Sequence, residues 1–377
     1  MSQTLKFPVE ILEMVFAHLH GELKNLTEVS PCFNDIISSS ICLMQSFELH
    51  YNEKNGRALA LSKRKYSKIN VESIKSSPAL LNFVKKRSHI SDLHFISCEF
   101  TNPHSFEILS SVAGNLKKLE MKYTKFKAKR KMPKIEMKNL EELSVGARDS
   151  NEFSSYIFFS VLVAENLKVL HFDDDPERFL TLLKAQEKLT ELTIEGSVVR
   201  KLLSDIVTST SLGFKAASIH LRIPGVGDFE GFNLEDHQTN LLPFLMTQRE
   251  TLTILKLVGC GLRDEDVDTL LKFPNLKTLE LRRCRYDWNL GLATSNRTIV
   301  NLVLIQDCLL YSSNRTILGI LEKCRSLKSL TLSFTPKINI ILASRLKRLA
   351  QLKLFQCEKP ADPLITAEEI LLPRLIS

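Results

Sequence analysis

The stretch Gly259–Leu281, with the sequence GCGLRDEDVDTLLKFPNLKTLEL, contains both parts of the unit from which this chain is built. Its last six residues place apolar side chains at Leu276, Leu279 and Leu281. Leu279 and Leu281 are separated by one polar residue, and such alternation of apolar and polar residues suits a short strand with one buried face. The preceding segment, residues 264–271, has its apolar residues at helical intervals instead. The stretch therefore predicts one helix followed by one short strand.

The strand template, with an apolar residue at positions one, four and six, recurs along the chain. Successive copies begin 22 to 28 residues apart, except for one interval of 36 residues. A single copy carries little information, whereas many copies at a regular spacing define a repeat array. The copies begin at Met44, Tyr66, Ile90, Leu116, Leu140, Leu167, Leu189, Ala216 (a weak copy), Leu252, Leu276, Ile299, Leu327 and Leu349.

This period and template are typical of leucine-rich repeats, in which each unit adds one strand to a parallel sheet and returns through a helix. We therefore predict an α/β fold over residues 41–357. It is a leucine-rich-repeat solenoid of about 13 repeats, with a curved parallel sheet inside and helices outside. The segments predicted to form helices are residues 105–112, 176–185, 198–207, 264–271 and 315–321.

Four cysteines occupy one position of the repeat, three residues after the last apolar residue of a copy. Repeats of this kind place Asn or Cys there, where the side chain satisfies backbone groups at the turn. The segments 259–281 and 321–332 resemble the cysteine-containing subclass of leucine-rich repeats. We interpret these cysteines as structural residues and not as nucleophiles. They are Cys98, Cys260, Cys284 and Cys357.

The first 40 residues lack the strand template and predict a separate helical module. Pro8 suits the first position of a helix, and Glu10 lies in the first turn, where the helix dipole favours an acid. Ser30 and Pro31 provide the N-cap and first position of a later helix. Three short helices cannot bury all their large apolar side chains among themselves. Part of the module must therefore pack on the rest of the chain or on another protein.

This module, Leu5–Ile37, resembles the F-box. The usual pattern is Leu-Pro-x-Glu-Ile-Leu, an aliphatic-Phe pair, a Leu, and later Val-Ser or Val-Cys with an aromatic. The chain departs from it with Phe7 in place of Leu, Pro31 in place of a basic residue and Phe33 in place of Trp. The resemblance implies binding to the Skp-type adaptor that links F-box proteins to a cullin. The implied adaptor-binding residues are Phe7, Pro8, Ile11, Leu12, Val15, Phe16, Leu19, Leu23, Leu26, Val29 and Phe33.

The resemblance also implies a function for the whole chain: a non-catalytic, substrate-recognition subunit of an SCF-type cullin-RING ubiquitin ligase, with no cofactor of its own. One alternative is that the helices only cap the repeats. The rival function is a leucine-rich-repeat scaffold outside a ligase, which binds an acidic protein or nucleic acid through residues 52–138. That region holds 20 Lys and Arg against 7 acidic residues. No nucleic-acid motif with stacking aromatics accompanies it, so nucleic acid is the weaker choice.

Three places are candidates for binding a protein substrate. The first is a mixed patch on the concave sheet, which a C-terminal tail, residues 358–377, could instead cover. Thr366 and Glu369 form a capping box in this tail and predict a short helix. The second is an insertion loop at residues 224–240, and the third is the basic region, with its densest run at residues 125–131. The patch consists of Ile254, Val258, Arg282, Val303, Ile305 and Phe355.

The composition indicates where in the cell the protein resides and which kinds of chemistry it does not perform. The 377 residues include eight cysteines without a C-x-x-C pair or a zinc spacing, which predicts neither disulfides nor a metal. No signal segment begins the sequence, and the longest apolar run, Tyr156–Ala164, is too short for a membrane helix. We expect a cytoplasmic or nuclear protein without contact to a membrane. No phosphate-binding loop or hydrolase motif predicts catalysis.

Overall fold

The structure is a computed structural model of the chain, and the residues it describes form two compact units, Met1–Lys188 and Leu189–Ser377. The elements within each unit are given in chain order. The described residues are 8–19, 22–45, 47–62, 64–75, 78–87, 89–101, 104–127, 134–146, 162–173, 182–183, 186–196, 214–221, 241–282, 284–287, 295–305, 323–334, 350–356 and 367–370.

The first unit begins with the helical module. Ser30 caps the third helix, since its Oγ accepts a hydrogen bond from the backbone N–H of Cys32 at 3.2 Å, and Pro31 follows at the first helical position. The rings of Phe16 and Phe33 pack edge to face with centroids 5.1 Å apart. The helices are α1 (Val9–His18), α2 (Leu23–Val29), α3 (Pro31–Ser39) and a single turn, α4 (Ile41–Met44).

The repeats of the first unit follow directly. Six strands form a parallel sheet in the order β1-β2-β3-β5-β8-β10, while β4 pairs with β6 and β7 with β9. The elements are β1 (Glu48–Tyr51), α5 (Gly56–Ala60), β2 (Lys68–Glu72), α6 (Pro78–Lys85), β3 (Asp92–Ile96), β4 (Glu99–Thr101), α7 (His104–Val112), β5 (Lys118–Lys122), β6 (Lys125–Lys127), β7 (Ile135–Glu136), β8 (Glu142–Gly146), β9 (Leu162–Val163) and β10 (Val169–Asp173).

The second unit repeats the same arrangement. Its main sheet has the order β11-β12-β13-β15-β17-β18-β19-β20, in which only β20 is antiparallel to its neighbour, and β14 pairs separately with β16. The elements are β11 (Glu191–Gly196), β12 (Ala216–Leu221), α8 (Leu241–Thr247), β13 (Ile254–Val258), β14 (Gly261–Arg263), α9 (Asp264–Leu271), β15 (Thr278–Arg282), β16 (Arg285–Asp287), β17 (Asn301–Ile305), β18 (Ser329–Phe334), β19 (Gln351–Gln356) and β20 (Ala367–Ile370).

Each of the thirteen predicted strands is present, and the apolar template predicts the register of most of them. Leu279 pairs with Leu255 on one side and with Leu302 on the other, and Leu330 pairs with Leu352. Leu255, Leu279, Leu302 and Leu330 are buried, so the template leucines form a continuous apolar row under the sheet. Two described segments predicted to be helical, residues 105–112 and 264–271, are α7 and α9. The α/β leucine-rich-repeat fold is confirmed.

In two of the thirteen copies, the observed register differs by two residues from the register that the template predicts. Leu49 lies opposite Ile69, and Tyr51 opposite Val71, whereas the template aligned Phe47 and Leu49 with them. In the weak copy, Ala217 and not Ile219 pairs with Leu192 and Leu255. A shift of two residues keeps the same side chains on the same face of a strand, so alternation alone cannot distinguish the two registers.

The C-terminal segment corrects another prediction. Residues 367–370 form β20, antiparallel to β19, and not the helix that the capping box predicted. A capping box is a local signal, whereas the last strand of the array presents unpaired backbone groups along its whole length. Pairing with β20 satisfies these groups. The predicted helices at 198–207 and 315–321, most of the one at 176–185, and the insertion loop at 224–240 lie outside the described residues.

The repeat cysteines have the structural role predicted for them. The Cys98 thiol donates to the carbonyl of Val71 in the preceding repeat at 3.3 Å, and the Cys284 thiol donates to that of Leu257 at 3.4 Å. Burial raises the pKa of the Cys98 thiol, so it is a poor nucleophile. Cys260 is also buried, while Cys357 lies outside the described residues.

Candidate functional site

Helix α1 has two apolar faces, only one of which is covered. Phe16 packs inward against Phe33 of α3 and is 3% exposed. On the other face Ile11 is 45% exposed, Met14 66%, Val15 47% and Leu19 39%. Met14, Val15 and Leu19 follow Ile11 by three, four and eight residues, so the four side chains lie along one side of the helix. We call the set Ile11, Met14, Val15 and Leu19 the α1 stripe.

The residues implied by the F-box resemblance differ in how far the structure buries their side chains. Phe16 and Leu23 are buried, so they form the core of the module and do not reach a partner directly. Phe7 lies outside the described residues. Pro8, Ile11, Val15, Leu19 and Val29 are exposed, and Leu12, Leu26 and Phe33 are partly buried.

Two further exposed side chains, Val9 at 51% and Met14 at 66%, were absent from the predicted set. The family pattern leaves both positions variable. Met14, three residues after Ile11, could have been found from the helical period alone.

The module is bonded to the first repeat through α3. A guanidinium nitrogen of Arg64, Nη2, donates to the side-chain carbonyl of Asn34 at 2.8 Å, and the backbone N–H of Lys65 donates to the carbonyl of Ser38 at 3.3 Å. Both contacts lie on α3, so they join the module to the repeats while leaving the α1 stripe exposed.

The mixed patch of the second unit is partly assembled by the sheet register. Val258 pairs with Arg282, and Arg282 pairs with Ile305, so these three residues form one row across β13, β15 and β17. Val303 pairs with Glu280 in the neighbouring row. Ile254, at the start of β13, is 37% exposed. Phe355 lies on β19, two strands beyond β17, and its side chain is outside the described part of the structure.

The charges within this patch are largely compensated. Glu280 is only 9% exposed, accepts a hydrogen bond from the guanidinium of Arg282, and lies 3.8 Å from the ammonium of Lys256. The carboxylate of Glu280 therefore interacts with two cations. The patch is a half-buried aliphatic row with a small residual positive charge, which suits a protein partner better than a small anion.

The equivalent sheet face of the first unit is a network of paired charges. Lys118 lies 2.9 Å from Glu142, His94 lies 3.3 Å from Glu120, and Lys122 also bonds Glu120. Burial opposes the charged form of Glu120, but Lys122, His94 and Lys118 together lower the pKa of its carboxyl. Burial lowers the pKa of His94, although Glu120 opposes that shift. This face has few charges left for a partner.

Part of the basic region 52–138 is also compensated. Lys85 pairs with Glu107 at 2.8 Å, and Arg87 is buried, donating to the carbonyls of Phe83, Leu59 and Ser62 at 2.9–3.1 Å. Of the densest run, residues 125–127 form β6, which pairs with β4, and residues 128–131 lie outside the described residues. Seven exposed lysines of the region take part in no salt bridge of the described chain: Lys54, Lys65, Lys68, Lys75, Lys86, Lys117 and Lys134.

The described ranges contain neither a cluster of metal-ligating side chains nor a membrane-spanning helix. No three His, Cys, Asp or Glu side chains there lie close enough together to hold a metal ion. Within the same ranges, every helix is too short or too polar to cross a bilayer.

Comparison with known proteins finds similarity among solved structures. No family model and no curated protein matches the sequence. The chain is similar to the leucine-rich-repeat ectodomain of the plant membrane receptor kinase GASSHO1/SCHENGEN3 from Arabidopsis thaliana, solved in complex with CASPARIAN STRIP INTEGRITY FACTOR 2. The identity is 11%, the match covers 79% of this chain and 39% of that chain, and the TM-score is 0.25. The match thus spans less than half of the ectodomain's length.

Proposed function

We propose that this chain is the substrate-recognition subunit of an SCF-type cullin-RING ubiquitin ligase, which binds a Skp-type adaptor through its N-terminal module and a protein substrate through its repeats. The observation that carries the proposal is the α1 stripe. The module closes its own core through Phe16, Leu23 and Phe33, yet leaves a row of large apolar side chains in water. A row of this kind is typical of a surface that a partner covers.

The stripe can supply a useful binding energy. Burying a fully exposed aliphatic side chain contributes about 1.5–3 kcal/mol, so a side chain that is already half-buried contributes about 1 kcal/mol more. With Ile11, Val15 and Leu19 at 45%, 47% and 39% exposure, and Met14 at 66%, the gross gain is about 4 kcal/mol.

In this role the chain supplies proximity and no chemistry of its own. An adaptor on α1 is connected to the first repeat through the contacts of Arg64 and Lys65 with α3. Catalysis then belongs to other subunits, and a bound substrate gains from being held near the transferring enzyme.

The experiment is co-elution of the purified chain with a Skp-type adaptor. Ile11→Asp and Val15→Asp place charges on exposed positions, where the fold tolerates them but an apolar interface does not. Leu61→Asp is the matched control, because Leu61 is 85% exposed and lies on a repeat. The proposal predicts that the variant carrying both Ile11→Asp and Val15→Asp no longer co-elutes with the adaptor, whereas Leu61→Asp still does. Failure of the unmodified chain to co-elute would refute it.

The second candidate is a repeat scaffold outside a ligase that binds an acidic protein or nucleic acid through residues 52–138. The seven exposed lysines of that region that take part in no salt bridge of the described chain favour it. This candidate predicts that the chain binds polyanions with an affinity that falls as salt is added, and that Lys54→Glu with Lys86→Glu removes this binding. It also predicts that the chain does not bind the adaptor.

A further inference from the structure

A row of lysines lies at the edge of the second unit where its strands begin. The backbone hydrogen bonds there connect successive repeats: Thr253 donates to Lys215, Lys277 to Thr253, Val300 to Lys277, and Lys328 to Val300, at 2.8–2.9 Å. The loops are thus stacked in one line, and a lysine occupies every second place in it. Adjacent strands are about 4.8 Å apart, so neighbouring lysines of the row are about 10 Å apart.

Two arginines add to this edge. Asn296 and Cys324 form a parallel bridge between adjacent loops, which places Arg297 in the loop next to Arg325. All five cations are exposed, and none takes part in a salt bridge among the described residues. Like charges held this close repel one another, and a bound anion relieves that repulsion. We call Lys215, Lys277, Arg297, Arg325 and Lys328 the basic edge.

The same position in the first unit behaves differently. There the row contains Lys117, Glu141 and Lys168, and the ammonium of Lys168 lies 2.8 Å from the carboxylate of Glu141. The accumulation of unpaired positive charge is therefore a property of the second unit and not of the repeat as such. It also lies outside the basic region 52–138.

The neighbours of the basic edge indicate which kind of anion it fits. Val300 and Thr253 alternate with the lysines in the row, and Ile254, immediately after Thr253, is 37% exposed. A nucleic-acid backbone offers phosphates but no apolar group to cover Ile254 and Val300. A polypeptide with acidic and aliphatic residues matches both components.

We propose that the basic edge binds an extended segment of a partner protein in which acidic residues are interspersed with aliphatic ones. From Lys215 to Lys328 the row crosses four strand spacings, about 19 Å, which an extended chain of about six residues spans. The proposal goes beyond the adaptor contact, since the edge and the α1 stripe belong to different units. If the proposed function holds, this partner is a substrate.

The test is fluorescence anisotropy of the full chain with three labelled probes at low salt. They are a peptide of alternating Glu and Leu, a peptide of equal charge with Ser in place of Leu, and a short DNA duplex. Lys277→Glu with Lys328→Glu should weaken binding of the Glu-Leu peptide about tenfold, and added salt should reduce the difference. Lys24→Glu with Lys188→Glu, which alters net charge equally at exposed positions of the first unit outside the region 52–138, should change it less than about twofold.

Several outcomes would overturn the proposal. They are no binding of the Glu-Leu peptide by the unmodified chain, equal losses in the two double variants, or equal binding of the Ser peptide. Tighter binding of the duplex that depends on Lys277 and Lys328 would make nucleic acid the ligand instead. If the Glu variants lose their circular dichroism spectrum, Lys277→Ala with Lys328→Ala repeats the test without charge reversal. Co-elution with the adaptor, measured in parallel, reports separately on the proposed function.

Discussion

Asn296 provides the sharpest test of how the repeats of the second unit are held together. Its side chain is 3% exposed and bonds in two directions. The amide donates to the carbonyl of Leu271 in the preceding repeat at 2.8 Å, and its oxygen accepts from the backbone N–H groups of Thr298 at 2.8 Å and Ile299 at 2.7 Å. Asn296→Ala leaves three backbone groups without these partners.

The expected loss in the free energy of unfolding follows from the number of backbone groups left without a partner. A buried polar group left unsatisfied costs about 1–3 kcal/mol, and taking the lower value for each of three groups gives about 3 kcal/mol. In urea, with a slope of about 3 kcal/mol per molar, the midpoint of unfolding of this unit should fall by about 1 M. Circular dichroism measures that transition.

Asn275 is the matched control. Its side chain also bonds a carbonyl of the preceding repeat, that of Glu250 at 2.7 Å, but it is exposed, so water replaces the lost bond. Asn275→Ala should cost at most about 1 kcal/mol. If the two variants unfold within about 0.5 kcal/mol of each other, the buried amide does not connect the repeats as described.

Three further predictions concern conformation, titration and thiol reactivity. Ser97 has φ of 53°, so Ser97→Gly should stabilise the first unit by about 0.5 kcal/mol in thermal melts, whereas Ser111→Gly within α7 should destabilise it by a similar amount. Because burial lowers the folded-state pKa of His94, the unfolded chain binds its proton more readily; stability should fall as pH drops below the unfolded value of about 6.5, and His94→Gln should flatten that slope in melts between about pH 7 and 5. Among the described cysteines, Cys32 and Cys42 are exposed and should be alkylated first by iodoacetamide in a mass-spectrometric time course, while Cys324, whose pKa burial raises to about 12, should react only on unfolding.

The repeat fold was predictable because its signal is both regular and redundant. Leu255, Leu279 and Leu302 recur at nearly constant intervals, and each sits in a template whose alternation already indicates a strand. Where one template was weak, as at Ala217, the same alternation allowed a register two residues away. Only pairing with Leu192 and Leu255, far away in sequence, selects the correct one.

The exposed surfaces were less predictable, because exposure depends on what packs elsewhere. Ile11 and Phe16 are equally apolar in sequence, and only the position of α3 decides that Phe16 is covered while Ile11 is not. Glu369 is in strand β20 because β19 needs a partner, a long-range demand that no local motif expresses. Lys215, Lys277 and Lys328 share one position of the repeat, yet their alignment in a row becomes visible only once the loops are stacked.

The measurement that bears most directly on the central claim is the affinity of the full chain for a Skp-type adaptor, determined by titration calorimetry with the α1 stripe intact and altered. The account predicts a saturable complex that Ile11→Asp with Val15→Asp weakens more than about a hundredfold, since about 2 kcal/mol of apolar burial is lost and two charges are buried in its place. It predicts no change for Leu61→Asp. An unaltered affinity in the double variant, or no complex with the unmodified chain, would contradict the claim that α1 docks this protein to a ligase.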